Sequence, residues 1–234
     1  MKLVIDFGNT IAKAAVFDNS EIVKLIKSTN LEEIIHLTRE YQIDDCIISS
    51  TSIQPQHIQD SLPIKSRILS YKMSFPFKIN YETPNTLGLD RIAVVAGAFD
   101  LFSGDDSLVI DCGSCITYDL LVSQEFVGGA ISPGVNMRFK ALNTFTANLP
   151  LVELSEMNSL VGTSTDGSLR SGVFNGIRAE LDEMITSFSE EYGPLKVVIC
   201  GGDYIFFENK LKASIFAAPE LVLKGLNGIL RYNA

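Results

Sequence analysis

The sequence predicts an α/β protein made of two related halves, and three observations carry that reading. Leu3-Val4-Ile5-Asp6-Phe7-Gly8 returns 105 residues later as Leu108-Val109-Ile110-Asp111-Cys112-Gly113. Each copy is an apolar strand that ends in Asp-x-Gly and passes through small polar residues into a second strand, the pattern of a β-hairpin. Each hairpin is followed by more strands and then helical stretches in a similar order. A chance recurrence of a common buried strand is the alternative, and the ordered elements after each copy weigh against it.

In the first half, the opening strand and a second through Ile11 to Phe17 form the hairpin. A third strand follows near Ile22 to Ile26, then a helix over Leu31 to Tyr41, where apolar residues recur at helical spacing. Strands at Cys46 to Ser49 and Arg67 to Tyr71 precede a loop with Pro84 and Gly88, which leads into an Ala-rich helix over Arg91 to Phe102. Ser103-Gly104-Asp105-Asp106 punctuates the chain, so the expected domains are residues 1–104 and 105–234. In the second half, strands up to Val122 are followed by one near Phe126 to Ile131, a turn at Ser132-Pro133-Gly134 and a helix from Val135 to about Thr146. An amphipathic segment over Ser168 to Tyr192, a buried-type strand at Lys196 to Cys200 and a closing helix from Glu220 to Tyr232 complete it.

Composition bounds the function. The 234 residues are 46% hydrophobic and 20% charged, a folded chain's balance that needs no disulfide or metal staple. A net charge of −9 without any basic block disfavours nucleic acid as a partner, because such binding rests on Lys and Arg meeting phosphates. The longest apolar run, Ile92 to Phe99, is far below the roughly 20 residues a membrane span requires. The N-terminal apolar run breaks at Asp6 without a cleavage pattern, so no membrane association is expected and the compartment is the cytoplasm. Cysteines stand at 46, 112, 115 and 200. Cys112 and Cys115 form C-x-x-C, but the strand-like residues after them do not suit a thioredoxin helix, the remaining Cys46, Cys200, His36 and His57 are too isolated to complete a zinc site, and packing is the expected role.

Three segments could carry chemistry. In Asp6-Phe7-Gly8-Asn9-Thr10, the glycine and successive N–H groups can cradle phosphate oxygens, Asn9 and Thr10 add donors, Asp6 can hold a hydrated Mg²⁺, and Lys13 offers a cation. An ordinary hairpin turn is the bland alternative. Asp111-Cys112-Gly113-Ser114 repeats the arrangement with a second carboxylate and a hydroxyl, and Gly201-Gly202-Asp203 could admit a ring or ribose against the backbone. In Gly88-Leu89-Asp90-Arg91, Asp90 could be an N-cap and Arg91 a solvated residue. Alternatively, Asp90 takes the proton of a substrate hydroxyl and Arg91 binds an anion. Phosphoryl transfer needs positioning, charge stabilisation and a base, and these segments offer candidates for all three.

Taken together, the hairpins resemble the phosphate-binding cores of the superfamily of actin, heat-shock chaperone ATPases and sugar kinases. Gly88-Leu89-Asp90-Arg91, the second hairpin, Gly128-Gly129-Ala130-Ile131-Ser132-Pro133-Gly134, the Gly162-Thr163-Ser164-Thr165-Asp166 segment, Gly201-Gly202-Asp203 and Leu221 to Asn227 resemble, in order, the type III pantothenate kinases. The resemblance implies two duplicated ribonuclease-H-like (actin-like ATPase) domains with an ATP cleft between them. It also implies phosphorylation of pantothenate to 4′-phosphopantothenate, the first step of coenzyme A biosynthesis. Asp6, Phe7, Gly8, Asn9, Thr10, Ile11, Ala12, Lys13 and Ser114 would bind ATP, and Asp6 would place Mg²⁺ through water. Tyr81, Gly88, Leu89, Asp90, Arg91 and Thr165 would bind pantothenate, with Asp90 the catalytic base. Asp111 would hold a monovalent cation, K⁺ or NH₄⁺, and the protein would be a homodimer in which Thr165 serves the neighbouring site. The second loop departs from the family pattern, with Ser114 and Cys115 where Thr and Ala are usual. Rival readings are a related sugar-type kinase and a non-catalytic paralogue acting as a regulatory accessory factor; Asp6 and Asp90 speak against the second.

Overall fold

The computed structural model describes residues 1–8, 11–28, 30–153, 155 and 159–234. Asn9 and Thr10, assigned to ATP above, lie outside the described residues. The chain divides into two compact units. The first comprises Met1–Gly104, Gln124–Val127 and Glu220–Ala234; the second comprises Asp105–Ser123 and Gly128–Pro219.

In the first unit, β1 (Lys2–Phe7), β2 (Ala12–Asp18) and β3 (Glu21–Ser28) are followed by α1 (Leu31–Glu40), β4 (Asp45–Ser50), α2 (Pro55–Ser61) and the short β5 (Arg67–Ile68). The strand order is β3-β2-β1-β4-β5. The hairpin places Asp6 opposite Lys13, and β4 runs parallel to β1 with Ser49 beside Asp6. Alternation along the strands sends Leu3, Ile5 and Phe7 to one face, where they form a core with Ile34 and Leu37 of α1 and Ile58 of α2. Asn30 caps α1 by accepting from the Glu32 N–H at 2.9 Å, which explains why that helix begins where the sequence suggested.

The opposite face is covered by helix. α3 (Leu89–Leu101) is buried from Arg91 to Ala98, and α6 (Leu221–Tyr232) packs against it and against β1, β2 and β4. Two glycines permit that approach. A Cβ on Gly225 would collide with the Ala93 carbonyl, and one on Gly97 would lie 2.5 Å from the Leu221 carbonyl oxygen. The compact units therefore differ from a contiguous 105–234 division, because α6 buries its apolar stripe in the first unit. A short β6 (Lys78–Ile79) pairs in parallel with Glu125 and Phe126, and these four residues also belong to the first unit.

The second unit contains β7 (Ser107–Cys112), β8 (Cys115–Val122), most of β9 (Glu125–Pro133), α4 (Val135–Thr144), α5 (Thr165–Tyr192), β10 (Lys196–Cys200) and β11 (Phe216–Ala217). Read from β9, the strand order is β9-β8-β7-β10-β11. It repeats the first sheet strand for strand: an antiparallel hairpin whose first strand is central, then a parallel neighbour reached by a helical crossover. The recurring Leu-Val-Ile-Asp segment is thus the middle strand of each sheet, buried on both faces as its uninterrupted apolar run requires.

Candidate active site

In the first unit the expected residues gather at the C-terminal end of β1 and the N-terminus of α3. Asp6 is the penultimate residue of β1, Lys13 faces it across the hairpin, and Ser49 donates to it from β4. Burial raises the Asp6 carboxyl from 3.8 to about 6; Ser49 and the Lys13 charge oppose this, while the Asp90 carboxylate adds to it. Asp90 thus lies near enough for its charge to be felt at Asp6. Lys13 also lies 3.7 Å from Glu220, which in turn reaches Lys27 at 3.3 Å.

Gly88 is the N-cap of α3, so the helix starts two residues earlier than its apolar run suggested. Asp90 sits in the first turn, where the helix dipole favours negative charge, and its carboxylate accepts from the Arg91 N–H at 2.9 Å. Arg91 is 6% exposed, not a solvated surface residue. Its guanidinium carbon lies 5.7 Å from the centre of the Phe126 ring, and Tyr81 packs on the same ring at 5.9 Å. One aromatic side chain thus brings together two residues, Tyr81 and Arg91, that the sequence assigned to substrate. Tyr71 closes the group by donating to the Leu87 carbonyl; burial, then the nearby Asp90 charge, pushes its phenol up.

The second unit assembles the repeated motif with two glycine segments. Gly134 donates to the Ser114 carbonyl at 3.2 Å, and a Cβ on it would lie 2.6 Å from that oxygen. Gly201 adopts φ +91°, and a Cβ there would strike both the Asp111 carboxylate and the Cys112 carbonyl. The Asp203 N–H donates to that same carbonyl at 2.8 Å, and burial raises the Asp203 carboxyl. The three motifs Asp-Cys-Gly-Ser, Pro-Gly and Gly-Gly-Asp, scattered over ninety-three residues, meet at one end of this sheet. Thr165 is the first residue of α5, where it lines a cavity of about 850 Å³ with Arg138, Leu142, Phe145 and Leu169. All four cysteine thiols are free, and burial pushes those of Cys46 and Cys112 far up, away from redox reactivity.

Residues 2–187 match the type III pantothenate kinase family. Over 240 aligned residues the chain is 42% identical to a type III pantothenate kinase of Christiangramia forsetii, covering 100% of this chain and 99% of that protein. The chain belongs to the type III pantothenate kinase family. Solved structures repeat the fold at low identity. A conserved protein of Campylobacter jejuni, described as a candidate Baf family transcriptional activator, is 22% identical with a TM-score of 0.62, covering 99% of this chain and 98% of that one. A ROK family glucokinase of Streptomyces griseus, solved with glucose and AMPPNP, is 12% identical with a TM-score of 0.51, covering 99% and 98%. The matching sheets and these neighbours show the fold of two duplicated ribonuclease-H-like domains.

Within this family member, sequence reading overlooked Ser49, Tyr71 and Phe126. Ser49 and Phe126 are ordinary strand residues in sequence. Their place beside Asp6 and Arg91 depends on strand register and on a pairing with β6, which no local pattern reports. Among the described residues no three His, Cys, Asp or Glu side chains form a metal-binding group, and no helix is long and apolar enough to cross a membrane.

Proposed function

We infer that the protein transfers the γ-phosphate of ATP to the primary hydroxyl of pantothenate, giving 4′-phosphopantothenate. The observation that carries this is full-length kinship with type III pantothenate kinases, joined to a buried Asp6 that feels the Asp90 charge and a buried, aromatic-backed Arg91. Asp90 accepts the hydroxyl proton as the oxygen attacks. Arg91 pairs with the pantothenate carboxylate, its planar donor array suited to that group, while Tyr81, Gly88 and Leu89 bound the acyl chain. Phe7, Gly8, Ile11 and Ala12 offer backbone and Lys13 a cation to the phosphates, and Ser114 adds a hydroxyl from the second hairpin.

Asp6 fits Mg²⁺. A buried carboxylate raised to about 6 beside a second carboxylate carries charge that its neighbours under-neutralise, and a divalent ion would supply the missing positive charge. Bound there, the ion would keep several waters, as Mg²⁺ does, and neutralise phosphate charge. The Asp111 carboxylate, pressed against the backbone of Gly201, suits a monovalent cation coordinated by oxygen. A homodimer is supported by the apolar cavity that Thr165 lines with Phe145, a ring 86% exposed, and by further exposed apolar side chains at Leu151, Leu160 and Val161. With an acidic surface and no basic block, the enzyme works in the cytoplasm without nucleic acid or membrane.

Steady-state ADP release tests the reading: pantothenate with Mg²⁺ and K⁺ should support turnover, omission of either cation should lower it, and a panel of sugars should not replace pantothenate. Turnover on a sugar alone would assign the chain to another kinase of the superfamily.

A further inference from the structure

The glycine that seats the Ser114 turn is itself held by a polar network within the second unit. Arg138, one turn into α4, donates from Nε to the Pro133 carbonyl at 2.9 Å and from Nη2 to Ser132 Oγ at 3.0 Å. Its Nη2 also donates to Glu180 of α5, and Tyr118 of β8 donates to the other Glu180 oxygen at 3.0 Å. The Arg138 N–H donates to the Gly134 carbonyl at 3.0 Å, so backbone and side chain of one residue grip three consecutive residues of the Ser132-Pro133-Gly134 turn. That turn abuts Gly113 and Ser114 so closely that no side chain fits at position 134.

The charges are arranged for holding. Burial pushes the Glu180 carboxyl up, but hydrogen bonds from Arg138, Ser132 and Tyr118 and the Arg138 charge outweigh it and keep it ionised. Arg138 and Glu180 are both about three-quarters hidden from solvent, which spares their pair much of the screening that weakens surface bridges. Occupied in this way, the guanidinium is a fixed strut for the turn.

We propose that Glu180 and Arg138 are positioning residues for ATP: by fixing the Ser132-Pro133-Gly134 turn, they hold the Ser114 hairpin turn in the shape that receives the phosphates. The inference rests on the reading that Ser114 binds ATP. Among the described residues, Glu180 holds the turn through Arg138 and Ser132 and does not itself lie on the phosphate-binding turn. Its removal therefore costs nucleotide affinity and leaves the pantothenate segment of the first unit intact.

The test compares Glu180→Gln, Tyr118→Phe and Ser114→Ala with the natural protein, measuring KM for ATP, KM for pantothenate and thermal midpoint. Weakening a charged hydrogen bond should raise KM for ATP about tenfold in Glu180→Gln, with KM for pantothenate changed less than about twofold. Tyr118→Phe, which keeps the ring and loses one hydrogen bond, should raise KM for ATP about threefold and carries the test if Glu180→Gln does not fold. A lowered midpoint with KM for ATP unchanged, or equal rises in both KM values, would overturn the proposal. If Ser114→Ala raises KM for ATP while the Glu180 and Tyr118 variants do not, the positioning role alone falls. If Ser114→Ala has no effect on it either, the assignment of this turn to phosphate falls, and the proposal with it.

Discussion

Replacing Asp6 by Asn should stabilise the protein while disabling it. The carboxyl is raised from 3.8 to about 6 by burial and by Asp90. The unfolded chain releases this proton near 3.8 and the folded chain near 6, so the folded state binds more protons in between and loses stability as pH rises across that window. Above pH 6 the full penalty applies, and at ~1.4 kcal/mol per pKa unit it comes to about 3 kcal/mol, of which water and local relaxation leave roughly 1–3. Asn keeps the shape and an acceptor for Ser49 but carries no charge. At pH 7.5 Asp6→Asn should therefore melt higher by roughly 2–4 °C per kcal/mol recovered. At pH 5 about half the advantage should remain, because the natural carboxyl is largely protonated when folded. Mg²⁺ with ATP should narrow the gap by stabilising the natural protein more than the variant, because the Asp6 carboxylate attracts the ion and a neutral amide does not. Thermal melts at the two pH values, with and without Mg²⁺ and ATP, decide the matter. A variant that melts lower at pH 7.5, or whose advantage does not change with pH, would refute the reasoning.

Other expectations follow from single positions. Asp90→Asn should lower kcat about 10²–10⁴-fold with a nearly unchanged melting curve, since among the described residues its carboxylate accepts from the first turn of its own helix; near-normal turnover would remove Asp90 as the base. Gly225→Ala should destabilise by about 3 kcal/mol in urea unfolding, because its methyl group would force α6 off the Ala93 carbonyl. Phe145→Asp should convert a dimer to a monomer in sedimentation while leaving the melting curve nearly unchanged, as expected for a side chain that is 86% exposed.

The repeat was the most legible feature of the sequence, because a strand buried on both faces must be apolar throughout and must stop at the polar turn it serves. β1 and β7 occupy the same central place in their sheets, and the hairpin partners follow from their alternation. Asp90 and Arg91 were legible as a pair, yet the burial of Arg91 was not: nothing in Gly-Leu-Asp-Arg signals that Phe126, thirty-five residues on, supplies the face for its guanidinium. The seven-residue α2 escaped notice because two turns leave too few apolar positions to establish a period. The destination of α6 was hidden for another reason. Its amphipathic pattern announces a buried stripe, but the surface that buries it is chosen by Gly97 and Gly225, whose small size lets two backbones touch.

Phosphorylation of pantothenate by this chain, with Asp90 as base, is open to direct measurement. It is tested most directly by incubating the protein with γ-labelled ATP, Mg²⁺, K⁺ and an equal mixture of pantothenate and sugars, then identifying the labelled product. Label is expected on the primary hydroxyl of pantothenate alone, and almost none with Asp90→Asn. Label on a sugar, or undiminished label on pantothenate with Asp90→Asn, would contradict it.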